Sequence, residues 1–370
     1  MKSILVTGAA GFIGKHLCLA LRRAGGVEVM EFDQDKSSDE LPGLVARADF
    51  VIHLAGVNRP KETGEFASGN TGLTRILCDA VAADGRGTPI VMSSSIQATR
   101  DTPYGISKRE AEEVLLAHNR KTGAPVFLYR LPNVFGKWSR PEYNTVVATF
   151  CHHISRGLPV VVNDRESPLS FVYIDDVANS LAALALDSSS AESGYREVAP
   201  VHQISLGRLH DLILSFRDGR EKFLLPDLGD PLVKALYSTY LSFLEPEDFA
   251  RPVEMKTDDR GWLFELVKSP VAGQIFVSKT HPGITRGNHY HDTKVEKFCV
   301  IQGCGVIRFR NVLGSEVIDY RVDDRAIRVV DIPPGYTHSI ENTGEEEMIT
   351  LFWANEIFDP ARPDTYWVPV

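Results

Sequence analysis

The chain has 370 residues, 43% of them apolar and 24% charged, with a net charge of −9 at pH 7. That length is comfortable for two domains with a packed core each. The acidic balance, without a Lys/Arg stripe, argues against nucleic acid as a partner, and no apolar run approaches the ~18 residues of a membrane span. A phosphorylated small substrate stays open, because a pocket can be locally positive on an acidic protein.

The five cysteines, Cys18, Cys78, Cys151, Cys299 and Cys304, are odd in number and scattered. They read as reduced thiols, and with no signal-peptide pattern at the start the expected location is the cytoplasm.

In chain order, residues 3–7 are a short β-branched run that ends in Gly8-Ala9-Ala10-Gly11-Phe12-Ile13-Gly14. A helical stripe follows over 12–24. A glycine string between strand and helix suits a dinucleotide. Gly8 permits the tight turn, Gly11 lets backbone approach a pyrophosphate, and Gly14 lets helix pack on sheet. Residues 27–32 predict a second strand, and Asp33 at its end stands where a ribose-binding acid belongs. Strands are further expected at 50–55, 90–93 and 126–130, with helices around 69–83 and 105–118. This alternation predicts an α/β doubly wound parallel sheet with helices on both faces.

Ser93, Ser94 and Ser95 close the fourth strand at the carboxyl edge, where such sheets bind ligands. Tyr104 and Lys108 follow at i and i+4 on one helix face. A cation beside a phenol is expected to lower its pKa, which suits a proton donor to a carbonyl oxygen.

The pattern changes near residue 245. Residues 246–252 read as a linker after a 1–245 domain, and 253–370 as a second domain. There, short runs at 273–277, 296–301, 305–309, 326–331 and 348–354 are punctuated by Gly and Pro, as in an all-β barrel or sandwich. His289 and His291 are two apart, so a strand would point both to one face. With Glu296 and His338 they form an N/N/O/N ligand set suited to Zn, Fe, Mn or Ni.

Residues 1–245 resemble the extended short-chain dehydrogenases/reductases. The likeness is carried by the Gly8/Gly11/Gly14 turn, His53-Leu54-Ala55-Gly56, Ser93–Ser95, Tyr104-x-x-x-Lys108, Arg130 through Gly136 and Phe171 through Ala178. It implies that Tyr104 donates the proton, Lys108 binds the nicotinamide ribose and Ser95 orients the substrate. Ser93 and Asn133 would touch that substrate, typically a nucleotide sugar. Gly8, Gly11, Phe12, Ile13, Gly14, Asp33, Leu54, Ala55 and Gly56 would hold the cofactor. An arginine common just before the Phe171 string is absent, its place taken by Leu169-Ser170, with Arg165 the nearest alternative.

The strings Gly283–Gly303 and Pro333–Asn342 are similar to the two cupin motifs, although Ile327 stands where the second usually begins with glycine. The flanks around Asp259–Glu265 and Gln274–Tyr290 resemble the 3,5-epimerases of 4-keto sugars, a cupin branch in which the position of His289 is a base and Arg286 would meet the substrate. A metal-bound imidazole is a poor base, and the ligand role is preferred because the other three ligands are present. Tyr290, Lys297 and Tyr336 are then the candidate bases.

A reductase of the extended type joined to a metal cupin resembles the bifunctional capsular-polysaccharide enzymes. That likeness implies a UDP-2-acetamido-2,6-dideoxy-4-hexulose substrate, C3 epimerisation by the cupin, and C4 reduction with NADPH. It also implies one divalent metal, zinc foremost, and a homodimer. Asp33 pulls the other way on the cofactor, because its charge would repel a 2′-phosphate and favour NADH. Two rival readings are a non-catalytic cupin that only binds or dimerises, and a redox sensor without catalysis. Retention of Tyr104 and Lys108 argues against the sensor.

Overall fold

Along Lys2–Thr7, Ile4 and Val6 pack into one apolar cluster and Leu5 into another. The same alternation recurs with Ile52 against Val51, Val91 against Ile90 and Met92, and Phe127 against Val126 and Leu128. A strand covered on both faces must be apolar on both, which is why these runs are continuous rather than alternating. The computed structural model describes residues 1–60, 62, 64–143, 145–188 and 191–370.

The strands form a six-stranded parallel sheet in the order Val27–Phe32, Lys2–Thr7, Phe50–His53, Ile90–Ser95, Val126–Leu131, Gly194–Arg196. The last is a three-residue edge strand that hydrophobic patterning does not announce. The chain starts inside the sheet, steps out to Val27–Phe32 and crosses back to Phe50–His53. Connections therefore diverge beyond the ends of Lys2–Thr7 and Phe50–His53 and leave a crevice there. A small second sheet joins Asn133–Phe135, Pro168–Tyr173 and His202–Ser205.

The helix Pro103–Thr122 starts sharply for local reasons. Thr102 accepts the Gly105 N–H at 3.1 Å, Pro103 fits the first turn, and Gly123 ends the helix in the left-handed region. A Cβ on Gly105 would lie 2.3 Å from the Gln97 carbonyl oxygen, so glycine lets this helix start press against the preceding turn.

The C-terminal strands are antiparallel and form two sheets. One has the order Lys256–Asp258, Gly261–Ser269, Gly273–Thr280, Met348–Ala354, Glu296–Gln302, Val329–Ile332. The other runs Val317–Asp323, Cys304–Asn311, Tyr336–Asn342, Thr285–Tyr290, Tyr366–Trp367. Phe298, Phe352, Ile307, Phe309 and Ile340 fill a common core, giving the cupin-like β domain. Gly261–Ser269 and Val317–Asp323 are strands that patterning does not predict. The first bulges between Glu265 and Val267, and the second is exposed along most of its length, so neither shows clean alternation.

Compactness divides the backbone into Met1–Asp211 with Ser238–Phe243, and Leu212–Tyr237 with Leu244–Val370. Residues 212–237 thus group with the second unit rather than with a 1–245 domain. The reason is local: Lys268 donates its N–H to the Phe223 carbonyl and accepts the Leu225 N–H. Among the described residues, no helix is long and apolar enough to cross a membrane.

Candidate functional site

The crevice of the parallel sheet opens into a cavity of about 790 Å³. Gly8, with φ at +72°, sits where an added Cβ would lie 2.6 Å from the Ala55 nitrogen. A Cβ on Gly14 would lie 2.2 Å from the Gly8 carbonyl oxygen. Backbone approach, rather than flexibility, requires both glycines. Gly11 begins the helix Phe12–Ala24 without a side-chain cap, so the first N–H groups face a site suited to an anion.

Gly8, Phe12, Ile13, Gly14, Leu54 and Gly56 all line the cavity. Gly11, Ala55 and Asp33 are outside that lining. Ala55 backs Gly8 and donates its N–H to the Thr7 hydroxyl at 3.3 Å. Asp33 ties the glycine turn to its strand, accepting the Ala10 N–H at 2.7 Å through one carboxylate oxygen.

Tyr104 and Lys108 line the same cavity with Ser93, Ser94 and Ser95. Lys108 is 7% exposed and donates from Nζ to the Ser93 carbonyl at 3.0 Å. Burial pulls its pKa down to about 8, against the pull of Glu112. The expected lowering of the Tyr104 pKa does not occur. Burial pushes the phenol up, and the opposing influence is a hydrogen bond with Ser95 rather than the ammonium. The physical reason lies in the same contact: the Lys108 ammonium is held by the Ser93 carbonyl.

The three serines divide their work. Ser95 also accepts the Gln97 N–H at 3.1 Å, which fixes the turn after the strand. Ser94 donates to buried Glu112 at 2.5 Å, and Arg130 and Tyr195 hold the same carboxylate at 2.5 and 3.0 Å. Burial pushes the Glu112 pKa up, but these donors outweigh it and hold the carboxyl below its ordinary value. Asn133 is exposed on the lining at the start of the small sheet.

Sequence reasoning missed Asn70, which is 2% exposed. Its side chain accepts the Val57 N–H at 2.8 Å and donates to the Ser107 hydroxyl at 2.9 Å. It therefore pins the loop after Phe50–His53 to the helix of Tyr104, and nothing in the local pattern distinguishes it from a loop asparagine. The lining also includes Asn58, Trp138, Arg140 and Tyr143, likewise unforeseen. Arg165, the nearest alternative to the missing arginine, is not among the residues that line the cavity and pairs with Asp211 at the surface.

In the second unit, His289, His291, Glu296 and His338 offer ligand atoms that all lie within 4.8 Å of one another. Ligands at ~2.0–2.2 Å from one ion are at most ~4.4 Å apart, so the four would close on a cation with shifts of a few tenths of an ångström. His289 pairs across strands with His338, and Glu296 opens the strand Glu296–Gln302. His289 and His291 do not share the face of one regular strand. The register breaks between Gly287 and His289, Asn288 has φ at +63°, and His291 lies just past the strand end.

The His291 Nε2 atom is 3.1 Å from the Glu296 carboxylate, and His338 Nε2 is 3.5 Å from it. His338 is fully buried, and its Nε2 has no hydrogen-bond partner among the described residues. An unpartnered buried imidazole nitrogen facing a carboxylate and two more imidazoles is a donor set suited to a divalent cation. Burial and the neighbouring histidines lower the His289 pKa to about 4, so the ring is neutral and able to ligate at pH 7. Burial pushes Glu296 up, yet His291 and His338 hold it down at about 2.

Arg286 is anchored by the Thr280 hydroxyl at 3.1 Å and the Lys279 carbonyl at 3.3 Å, with Asp258 at 3.9 Å. Of the candidate bases, Lys297 is ion-paired with Asp331, Tyr290 stacks on Tyr366 at 5.1 Å, and Tyr336 packs against the barrel core.

Residues 4–196 match the NAD dependent epimerase/dehydratase family, and residues 256–366 the polysaccharide biosynthesis C-terminal domain. The chain is 45% identical to a UDP-2-acetamido-2,6-beta-L-arabino-hexul-4-ose reductase of Pseudomonas aeruginosa, over 98% of this chain and 97% of that protein. It is similar to the crystal structure of the capsular polysaccharide assembling protein CapF from Staphylococcus aureus. There the TM-score is 0.91 at 44% identity, with 99% of this chain and 100% of the other covered. A structure of CapF with the inhibitor 3-isopropenyl-tropolone matches at a TM-score of 0.86 and 40% identity, with both chains fully covered.

Proposed function

Because this chain belongs to the NAD dependent epimerase/dehydratase family, we propose that it is a bifunctional nucleotide-sugar enzyme with two successive activities. The barrel epimerises C3 of a UDP-2-acetamido-2,6-dideoxy-4-hexulose, and the Rossmann-like part then reduces the C4 ketone. The observation that carries this reading is the presence, in one chain, of Tyr104, Lys108 and Ser95 on one cavity wall and of a four-ligand cluster in the barrel.

The order follows from the substrate. The C3 hydrogen is acidic only while C4 is a ketone, so reduction must come second. A reduced nicotinamide bound in the crevice would supply the hydride to C4. Tyr104 gives the proton to the ketone oxygen, and burial keeps that phenol protonated until it is needed. Ser95 shares the same oxygen through its hydrogen bond to Tyr104. Lys108 would hold the ribose of the cofactor, while Ser93 and Asn133 would border the sugar. Arg140, an exposed cation on the lining, would meet the diphosphate, whereas Arg165 is not part of that lining.

His289, His291, Glu296 and His338 would hold one divalent ion, zinc foremost, which would supply Lewis acidity toward an oxygen of the sugar. Arg286 would border the same sugar in the barrel. For the reductase cofactor we retain NADPH, with NADH the competing form favoured by Asp33.

The test is incubation with the UDP-4-keto sugar in D2O, with and without reduced nicotinamide. Deuterium at C3 without cofactor, and the reduced sugar only with it, is the expected result. Exchange that survives unchanged in His289→Ala/His291→Ala would leave the barrel as a binding or dimerisation module, and absence of both reactions would end the reading.

A further inference from the structure

His291 is the ligand that lies beyond its strand, so something other than strand pairing must aim it. Its Nδ1 donates to the main-chain carbonyl of Asp364 at 2.6 Å. That contact places the proton on Nδ1 and leaves Nε2 bare toward Glu296. The Asp364 carboxylate grips the turn that follows His291. It accepts the N–H groups of Asp292, Thr293 and Lys294 at 2.9, 2.9 and 2.8 Å, and the Thr293 hydroxyl at 2.9 Å. One aspartate thus orients the imidazole through its backbone and fixes the turn carrying it through its side chain.

Two further observations make this arrangement more than a surface turn. Asp364 has φ at +39°, a conformation held only where the surroundings determine it. Lys294, 5% exposed, donates to the Pro363 carbonyl and the Thr365 hydroxyl at 2.9 and 3.1 Å, clasping the same segment from the other side. Tyr366 and Trp367 then pair with Tyr290 and His289 as an added strand. Tail residues therefore buttress two of the four ligands.

We propose that Asp364 is a positioning residue for the metal centre, and that the segment Pro363–Trp367 presets His291 and His289 for a divalent cation. The proposal rests on the metal reading of the quartet. Its test reads metal binding in the full chain, not activity. Co2+ is titrated into protein stripped of metal by chelator, and both affinity and the visible ligand-field spectrum are recorded. Asp364→Gly removes the carboxylate and accepts positive φ without strain. It should bind Co2+ about 10–100-fold more weakly, with an altered spectrum. Asp364→Asn tolerates positive φ and keeps one acceptor oxygen, enough for the three donors on Oδ2 but not also for the Asp292 N–H on Oδ1, and should bind with an affinity between those of the parent and the Gly variant.

Equal affinity and spectrum in Asp364→Gly and the parent overturn the proposal. So does an Asn variant as weak as the Gly variant, which would assign the effect to a nearby charge. If Asp364→Gly does not fold, Thr293→Val decides, since it removes one donor to the same carboxylate: weaker Co2+ binding supports the latch and unchanged binding overturns it. A parent chain that binds no Co2+ at all fails the metal reading itself, and the proposal falls with it.

Discussion

The Lys108 ammonium donates to the Ser93 carbonyl at 3.0 Å from one helical turn below Tyr104. The helix and the strand end are thereby locked in register, and the phenol reaches the cavity beside Ser95. This linkage makes the reductase centre sensitive to single changes on either element.

Tyr104→Phe deletes the proton donor while leaving the ring against Phe66, 5.8 Å away between centroids. The expected loss in kcat for ketone reduction is about 10²–10⁴-fold, with thermal stability nearly unchanged. Solvent deuterium uptake at C3, measured on the same protein, should persist.

Lys108 should leave a signature in pH-dependent stability. Its folded pKa of about 8 lies below the ~10.4 of an unfolded chain. Between those values the unfolded state binds the extra proton, so the contribution of this residue to stability rises with pH. Below pH 8 the buried charge is a cost. The difference in unfolding free energy between the parent and Lys108→Met should therefore shift in favour of the parent from pH 7.5 to 9.5, as read in urea titrations.

Asp33→Asn keeps the acceptor for the Ala10 N–H and removes the charge. The ratio of kcat/KM for NADPH over NADH should rise on the order of tenfold. That corresponds to the ~1–4 kcal/mol range of a charge pair about 4 Å apart at intermediate screening. A ratio that stays constant would mean the 2′-position lies elsewhere.

Arg130 supports Glu112, whose side chain is 2% exposed against 33% for the arginine. Arg130→Met would leave that carboxylate buried with only hydroxyl donors. The expected destabilisation is about 3 kcal/mol, the low end for breaking a buried pair because the arginine is partly solvated. A midpoint shift in denaturant without change of slope would register it.

Arg140→Ala tests the diphosphate assignment. KM for the UDP-sugar should rise roughly 10-fold or more, in line with loss of a charge-assisted contact of about 1.5–3 kcal/mol. Unchanged affinity for the nicotinamide cofactor would assign the effect to the UDP-sugar, and a matching loss of cofactor affinity would overturn the assignment.

Much of both centres was legible before any coordinates. The Gly8/Gly14 spacing follows from backbone approach, and each glycine is where a Cβ would collide. The ligand quartet was readable because few arrangements place three imidazoles and a carboxylate at that spacing. Asn70 and Asp364 were not readable. Each acts on residues 13 or more positions away and largely by meeting a backbone group, which leaves no mark in side-chain patterning. The pKa of Tyr104 was misjudged for a related reason: an i, i+4 spacing gives proximity, but not which partner the ammonium takes.

Residue order alone determined that this chain carries a glycine turn between strand and helix, a Tyr/Lys pair and a His/Glu set able to ligate a metal, since each depends on local spacing along a strand, turn or helix. Only the tertiary structure decided that Lys108 serves the Ser93 carbonyl, that Asn70 takes the Val57 N–H, and that the Asp364 carbonyl meets His291. Those outcomes depend on which buried donor finds which acceptor, and that competition is settled by packing between segments far apart in the chain.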